Sequence, residues 1–395
     1  MSSSALDVQA RLAARLPEMR SLLKQLVNID SGSHDKKGVD AVGAVMAKRL
    51  ANMGFEIDRI ANDSCGDFVV GRKLLGGTGK VAILGHLDTV WPAGTVDEWP
   101  YQELSDEIAT GPGVGDMKGG LVMALFALES LLEDGFNELE SITFILVPDE
   151  EIGSINSRQH IEDAVKDADY VLVLEPGRPG NGVVTARGAL GNIFIHAHGQ
   201  SAHCAVNYSN GASAVRALAM KVADLDDLSS PEEGTIVNVG VFQGGVAKQV
   251  VPENAMLNID VRARTQERAE QLLEQINTIT YRPDYDRVSF EIRGGLTRPA
   301  FPADQNGSLF QLARGISNEL NFQVFEVQPT AGGSDGNFSA AMGIPTLDGL
   351  GPVSHDICSR RETMEIKTMA SRGAIFHEII RRIPTLNTLN EVRSK

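Results

Sequence analysis

The sequence predicts an α/β fold with two domains, because 395 residues exceed what one simple core usually contains. Apolar runs flanked by helical segments are typical of buried parallel strands. The middle of the chain has instead the β-α-β-β-α-β order of a ferredoxin-like sandwich. We therefore predict a mixed, mostly parallel sheet in a discontinuous domain, residues 1–187 and 299–395, and an inserted ferredoxin-like α+β domain, residues 188–298.

The spacing of apolar residues predicts the helices of the discontinuous domain. Leucines recur at helical spacing between residues 8 and 27, and residues 39–53 form a second helical stretch that stops at Gly54. Residues 119–132 are apolar on nearly every side. They predict a buried helix that begins just after the glycine-rich loop at residues 111–116.

Four apolar runs, at residues 81–84, 142–147, 170–174 and 344–347, lead to polar side chains. In an open α/β sheet the carboxyl ends of the strands line the ligand crevice, so residues far apart in sequence can meet at one edge. The side chains that follow these four runs are, in chain order, His86, Asp88, Asp149, Glu150, Glu151, Glu175 and His355.

The middle of the chain changes character, which indicates a separate domain. Short stretches there predict strands, and two longer stretches predict helices. Because His355 lies beyond this segment, the segment interrupts the series of polar side chains, and we infer that it is an insertion. The predicted strands are residues 192–197, 235–242, 256–262 and 288–292, and the predicted helices are residues 212–228 and 265–279.

Composition excludes several classes of partner. The formal net charge of -16 argues against binding to nucleic acid or to an anionic membrane, since both need clustered Lys and Arg.

No apolar run approaches the roughly 20 residues that span a bilayer, and the first residues do not resemble a secretory signal. The three cysteines do not suggest a disulfide framework. We therefore expect a soluble cytoplasmic protein.

Two imidazoles and several carboxylates at one sheet edge predict a divalent metal site. Asp88 can orient His86 by accepting its second ring N–H. Asp116 lies in the glycine-rich loop, where little steric cover separates it from a metal. Of the adjacent acids Glu150 and Glu151, one can bind metal while the other acts as a general base.

Each of these motifs alone also has an ordinary structural explanation, such as a capped turn or a solvated acidic loop. The glycine-rich loop permits a nucleotide-binding interpretation as well, although it fits the phosphate-binding patterns poorly. The joint pattern is what favours a metal centre.

These motifs together resemble the dinuclear zinc amidohydrolases and peptidases of the M20 clan, and within it the glutamate carboxypeptidases. The resemblance covers nearly the whole chain after about residue 15. It depends on five motifs: Gly85–Val90, Gly111–Gly120, Asp149–Ser154, Glu175–Pro176 and Ser354–Asp356.

The resemblance implies two Zn²⁺ ions per subunit, with Co²⁺ or Mn²⁺ as alternatives. It also implies that the inserted domain mediates homodimerisation. The implied roles are Asp116 as the bridging ligand, His86 and Glu175 as ligands of one ion, Glu151 and His355 as ligands of the other, Asp88 as the orienting group of His86, and Glu150 as the general base.

The resemblance also implies substrate contacts. His203 corresponds to a histidine that stabilises the oxyanion in the partner subunit's active site, and Arg262 and Arg298 to arginines that grip a substrate carboxylate. Gly333 and Ser334 belong to a loop near the substrate. The chain departs from the family in the residues that follow His203, and at Gln249, where an asparagine is usual.

We therefore predict a hydrolase that cleaves an amide bond and releases a C-terminal, glutamate-type amino acid from an N-acyl or peptidyl substrate. One alternative is an aminoacylase or deacylase of the same family, such as a desuccinylase or an acetylornithine-type enzyme. A non-catalytic metal- or ligand-binding protein and a nucleotide-binding protein are alternatives of other classes.

Overall fold

The computed structural model describes residues 4–327 and 332–393. These residues form two compact units. The first comprises residues 4–185, 302–327 and 334–393, and the second comprises residues 186–301 with residues 332 and 333. The first unit is therefore discontinuous in sequence.

The helices are α1 Ala5–Ala14, α2 Leu16–Val27, α3 Lys36–Asn52, α4 Thr95–Glu98, α5 Gly120–Glu133, α6 Arg158–Val165, α7 Ala214–Asp226, α8 Gln266–Tyr281, α9 Gly307–Glu319, α10 Gly336–Ala341 and α11 Thr368–Arg393. The strands are β1 Glu56–Ile60, β2 Phe68–Leu74, β3 Lys80–His86, β4 Gln102–Glu103, β5 Ile108–Thr110, β6 Ser141–Val147, β7 Tyr170–Val173, β8 Gly182–Val184, β9 Ala189–His198, β10 Ile236–Gly244, β11 Asn254–Ala263, β12 Ser289–Arg298, β13 Phe325–Val327, β14 Thr346–Leu347, β15 Ser354–His355 and β16 Thr363–Glu365. The predicted helical stretch at residues 8–27 is observed as two helices, α1 and α2, and the stretches at residues 39–53 and 119–132 correspond to α3 and α5.

A mixed six-stranded sheet in the order β1-β2-β6-β3-β7-β14 forms the centre of the first unit. The strands β6, β3, β7 and β14 are parallel neighbours. Strands β6 and β3 contain the predicted apolar runs at residues 142–147 and 81–84, β7 covers all but the last residue of the run 170–174, and β14 covers the second half of the run 344–347. Strands β1 and β2 join antiparallel at one side, an addition that the sequence analysis did not predict. The predicted fold class is thus confirmed.

Helix α5 lies in the core of the first unit, and most of its residues are fully buried. A Cβ atom at Gly120 would lie 2.3 Å from the carbonyl oxygen of Leu174, so only glycine lets the helix begin this close to the end of β7. Helix α11 packs against both α5 and α1. Within residues 4–327 and 332–393, no helix combines the length and apolarity needed to cross a bilayer.

The second unit is a four-stranded antiparallel sheet in the order β10-β11-β9-β12. Together with α7 and α8 this is the predicted ferredoxin-like arrangement. Alternate residues of β9 are buried, because one face of the sheet packs against the two helices. Strand β10 forms an outer edge, and most of its residues are exposed.

Candidate active site

The ends of three parallel strands bring the predicted polar side chains together. His86 is the last residue of β3, Glu150 and Glu151 follow β6, and Glu175 follows β7. The ligand atoms of His86, Asp116 and Glu151 lie within 4.8 Å of one another, and so do those of His86, Glu150 and Glu175. The two groups share His86, so these five side chains form a single site.

Asp116 reaches the site from a distorted helical turn, Val114–Gly119, that precedes α5. Its Oδ1 atom lies 3.1 Å from Nε2 of His86, and its Oδ2 atom accepts a hydrogen bond of 3.4 Å from the thiol of Cys358. The turn is packed tightly, because a Cβ atom at Gly115 would lie 2.4 Å from the hydroxyl of Ser354. The two carboxylate oxygens of Asp116 thus face two different side chains.

Asp88 is fully buried, and its carboxylate accepts several hydrogen bonds. Oδ1 accepts the backbone N–H of Glu150 at 3.1 Å, and Oδ2 accepts that of Glu151 at 3.1 Å and the hydroxyl of Ser33 at 2.6 Å. Oδ1 also lies 3.4 Å from Nδ1 of His86, and this nitrogen contacts the carbonyl oxygen of Asp88 at 3.0 Å. With oxygen atoms around Nδ1, Nε2 is the nitrogen available to a metal ion.

Glu362 supports the same site and was not identified from the sequence. Its side chain is buried, and its Oε1 atom accepts the backbone N–H groups of Gly115 at 2.9 Å and Asp116 at 3.1 Å. Burial and the neighbouring Asp116 raise the pKa of Glu362 to about 7. Its function is to hold a backbone segment, and an acceptor for backbone N–H groups leaves no motif in the sequence.

Burial and crowding of acids dominate the electrostatics of the site. Burial, together with the charge of Asp116, raises the pKa values of Glu151 and Glu175 well above their usual range. Burial lowers the pKa of His86, but its contacts with Asp116 and Asp88 outweigh that effect and raise the pKa. A divalent cation would compensate the crowded carboxylates, and imidazole and carboxylate groups are its usual ligands. The residues present therefore fit a metal centre.

His355 belongs to neither of the two groups of potential ligands found among the described residues. It lies on β15, and its Nε2 atom is 3.0 Å from Oε1 of Glu365. Its neighbour Ser354 is packed against Gly115, so His355 is on a strand that contacts the turn carrying Asp116. The role of His355 as a ligand stays a prediction.

His203 and Arg262 lie in the second unit. His203 is exposed, and its Nδ1 atom accepts a hydrogen bond of 3.2 Å from the backbone N–H of Ala205. In the neutral imidazole the proton is then on Nε2, which can donate to a substrate oxygen. Arg262 is half-buried and forms an ion pair of 2.8 Å with Asp260 on the same strand.

The glycine loop is described in two parts. Gly333 belongs to the second unit, where a Cβ atom would lie 2.5 Å from Cδ of the buried Arg298. The buried Arg187 donates hydrogen bonds to the carbonyl oxygens of Gly332 and Gly333, at 3.0 and 3.2 Å. Ser334 belongs to the first unit, where it is buried and donates a hydrogen bond of 2.6 Å to Asp348.

A cavity of about 410 Å³ opens beside Glu151 in the first unit. Its walls are residues 32–35 and 89–93, and they include the ring of Trp91. The indole Nε1 atom of Trp91 is buried and has no hydrogen-bond partner within the described residues. The guanidinium group of Arg360 lies 5.1 Å from the centre of this ring. The cavity therefore leaves open space beside Glu151, one of the candidate metal ligands.

Comparison with known proteins agrees with this geometry. The model of the peptidase family M20/M25/M40 matches residues 82–382. The chain is 31% identical over 346 residues to carboxypeptidase G2 from Pseudomonas sp. (strain RS-16), covering 85% of this chain and 81% of that protein. It is 26% identical over 389 residues to succinyl-diaminopimelate desuccinylase from Pseudoalteromonas atlantica, covering 93% of this chain and 99% of that one.

A solved structure is similar over nearly the whole fold. The YXEP protein of Bacillus subtilis, described as a dinuclear metal-binding peptidase, gives a TM-score of 0.67 at 16% identity and covers 94% of this chain and 99% of its own. The family match and the cluster of candidate metal ligands define a metallohydrolase. More narrowly, the chain belongs to the peptidase family M20/M25/M40 and is an enzyme of the metallopeptidase class.

Proposed function

We propose that the protein hydrolyses an amide bond and releases a C-terminal, glutamate-type amino acid from an N-acyl or peptidyl substrate. The observation that carries this proposal is the pair of overlapping ligand groups, which share His86 and include Glu150 beside Glu175. The 31% identity to carboxypeptidase G2 supports release of a C-terminal residue.

We assign two divalent ions, with zinc as the first choice and cobalt or manganese as alternatives, to the site around Asp116. The ligands on one side would be His86 and Glu175, and those on the other would include Glu151 and His355. When bound, the ions would polarise the scissile carbonyl group and lower the pKa of the attacking water.

Glu150 acts as the general base in this proposal. It takes the proton from water as the oxygen attacks the carbonyl carbon, and it then gives that proton to the leaving nitrogen. Its backbone N–H is bonded to Asp88, and its carboxylate lies within 4.8 Å of the ligand atoms of His86 and Glu175. Asp88 therefore keeps the base in reach of the site.

The oxyanion that forms would accept a hydrogen bond from Nε2–H of the partner subunit's His203. This requires a homodimer, and the exposed outer strand β10 supports one. Val241 and Phe242 on this strand are 37% and 41% exposed, and Val246 just beyond it is 92% exposed. Unpaired strand edges with apolar side chains favour association with a second chain.

Arg298 and Arg262 are the proposed partners of the substrate carboxylate. Arg298 is only 4% exposed, and the planar guanidinium group of arginine matches the geometry of a carboxylate through two parallel hydrogen bonds. Comparing an N-acyl-glutamate with its α-amide tests this assignment. We expect kcat/KM for the amide to fall about 10- to 100-fold, the range of a lost hydrogen bond to a charged group. Equal values for the two compounds would exclude the assignment.

The matched variants are Arg298→Ala and, as a control on the same strand, Arg293→Ala. Arg293 is exposed and pairs with Glu291, so its loss should leave kcat/KM unchanged. Arg298→Ala should reduce the preference for the acid over the amide. If both variants kept the wild-type preference for the acid over the amide, the substrate carboxylate would not be bound at this position.

A deacylase such as a desuccinylase is the second candidate, favoured by the 26% identity to succinyl-diaminopimelate desuccinylase. A screen of N-acyl amino acids and dipeptides with added Zn²⁺ separates the two by the amino acid released. Hydrolysis of none of them by metal-loaded protein would exclude both candidate substrate classes. The three cysteines are unpaired, which supports a reducing compartment such as the cytoplasm.

A further inference from the structure

Arg178 lies in the turn that follows the proposed metal ligand Glu175, and it was not identified from the sequence. The carbonyl oxygen of Gly177, the preceding residue, accepts the backbone N–H of Ser354 at 3.1 Å. Ser354 directly precedes His355, the other predicted ligand on this side. Arg178 is therefore next to two of the segments that carry predicted metal ligands.

A short backbone hairpin fixes the position of Arg178. Its N–H donates to the carbonyl oxygen of Gly182 at 3.1 Å, and its carbonyl oxygen accepts the N–H of Gly182 at 3.0 Å. Between them, Gly180 and Asn181 both have a left-handed backbone, with φ of 78° and 74°, and these two residue types adopt it most readily. The side chain of Arg178 therefore begins at a well-defined point beside the site.

The guanidinium group of Arg178 has no hydrogen-bond or ion-pair partner in the part of the chain that the structure describes. The residue is half-buried, and its Nε atom is fully buried. A buried donor without an acceptor costs free energy, and more so when the group is charged. The fully buried Arg372, by contrast, donates to the carbonyl oxygens of Gly349 and Gly351. An anionic ligand would supply the acceptor that Arg178 lacks.

The positive charge of Arg178 acts on the carboxylate at the centre of the site. Burial raises the pKa of Asp116, but the contact with His86 and the charges of His86 and Arg178 outweigh burial and lower the pKa. Two bound divalent ions would bring four positive charges, which balance the four carboxylates grouped around His86, namely Asp116, Glu150, Glu151 and Glu175. With these acids compensated by the ions, a substrate anion would be the partner of Arg178.

We propose that Arg178 binds a second carboxylate of the substrate, in addition to the C-terminal carboxylate assigned to Arg298 and Arg262. The inference rests on the proposed function, because it presumes that the substrate is held at this site. The second carboxylate belongs either to the side chain of the released amino acid or to the acyl group. In both cases the planar guanidinium group can bind it through two parallel hydrogen bonds. The protein would thus select substrates with two carboxylates.

Two matched pairs of substrates locate the second carboxylate. The first pair is N-acetyl-L-glutamate and N-acetyl-L-glutamine, which differ only in the side chain of the released amino acid. The second pair is N-succinyl-L-alanine and its analogue in which the free succinyl carboxylate is an amide. We expect kcat/KM to be about 10- to 100-fold higher for the acid than for the amide in at least one pair. Equal values within both pairs would overturn the proposal.

Variants of Arg178 assign this preference to one side chain. In Arg178→Gln the acid and the amide should be hydrolysed about equally well, whereas Arg178→Lys keeps the charge and should retain part of the preference. The matched control Arg72→Gln removes an exposed guanidinium group that pairs with Asp58 at 2.8 Å, and it should keep the full preference. Because the ratio for two substrates is measured on one sample, partial unfolding does not change it. A wild-type ratio in Arg178→Gln would overturn the proposal.

Binding of the released fragments gives a readout that does not depend on turnover. Calorimetric titration of the zinc-loaded protein compares the Kd of L-glutamate with that of L-glutamine, and the Kd of succinate with that of succinamate. We expect at least one dicarboxylate to bind about 10- to 100-fold more tightly than its amide in the wild type and in Arg72→Gln. That difference should vanish in Arg178→Gln. Equal Kd values within both wild-type pairs would contradict the role of Arg178.

The outcomes also separate this inference from the proposed function. Hydrolysis without any preference for a second carboxylate would overturn the role of Arg178 and leave the hydrolase proposal standing. Binding of a dicarboxylate that depends on Arg178, without hydrolysis of any substrate, would contradict the proposed function alone. Absence of both hydrolysis and selective binding would overturn both.

Discussion

The carboxylate of Asp88 accepts the backbone N–H of Glu150 through Oδ1 at a distance of 3.1 Å. The same oxygen lies 3.4 Å from Nδ1 of His86. One buried carboxylate therefore contacts the ring of a predicted metal ligand and holds the backbone of the predicted general base. The two residues are thus kept close together, although 64 positions separate residues 86 and 150 in the sequence.

Replacing Asp88 with asparagine should weaken both functions at once. The amide keeps one acceptor oxygen but presents an NH₂ group to the other backbone N–H, so one hydrogen bond to Glu150 or Glu151 is lost. We expect metal affinity or kcat/KM to fall about 10- to 100-fold. Zinc retention against a chelator and steady-state kinetics measure the change. The exposed Asp97→Asn is the control, and equal behaviour of the two variants would contradict the prediction.

Replacing Glu150 with glutamine should separate metal binding from turnover. Glu150 is the proposed base and is not among the assigned metal ligands, so the variant should retain its metal. The loss of a positioned base should lower kcat by about 10²–10⁴-fold. Metal analysis and kcat on the same sample provide the test. A glutamine variant with near-normal kcat would show that another group takes the proton.

Glu362 should increase zinc affinity by holding the backbone of the turn that carries Asp116. In Glu362→Gln an oxygen remains to accept the N–H groups of Gly115 and Asp116, whereas in Glu362→Ala no acceptor remains. We expect the alanine variant to bind zinc about 10- to 100-fold more weakly and the glutamine variant to stay much closer to wild type. Competition with a chromogenic chelator measures the zinc affinity of both variants. Equal losses of affinity in the two variants would show that the charge of the side chain matters, and not its hydrogen bonds to the backbone.

Glu378 on α11 should make stability depend on pH. Its side chain is fully buried and accepts hydrogen bonds from Arg381 and Arg382. Burial raises the pKa of Glu378, but its contacts with His377 and the two arginines prevail and lower the pKa to about 2. Because the folded pKa is below the unfolded value of 4.5, the stabilisation is complete above about pH 4.5 and is lost as the pH falls toward 2.

The measurement is the urea midpoint of Glu378→Gln and wild type between about pH 3 and pH 7. We expect a difference in unfolding free energy of up to about 3 kcal/mol near neutral pH that narrows in acid. The control is Glu162→Gln, whose partner Arg158 is nearly half exposed and whose loss should cost less than about 1 kcal/mol. A difference that stays constant with pH would contradict the assignment.

Much of this site follows from strand order. Parallel strands end at one edge, so His86, Glu150, Glu151 and Glu175 could be expected to meet once four buried strands were recognised. Asp116 could be added because the glycine-rich loop leads into a helix that packs beside those strands. The ferredoxin-like unit was predictable as well, since its strands and helices alternate in a standard order.

Other parts had no sequence signal. Glu362 accepts hydrogen bonds from backbone N–H groups, and Ser33 donates one to a carboxylate, in each case of a segment far away in the chain. The sequence alone does not distinguish these two residues from any other acid or hydroxyl residue. The strands β1 and β2 were missed because they pair antiparallel at the side of the sheet and lead to no ligand.

The divided first unit has a consequence for synthesis on the ribosome. Strand β14, which pairs with β7, and helix α11, which packs on α1 and α5, are both translated after the entire second unit. Until they emerge, the nascent chain carries an open strand edge and an uncovered apolar helix, features that invite misassociation. A chain truncated before β14 should therefore associate with other chains more readily than one that includes β14 and α11.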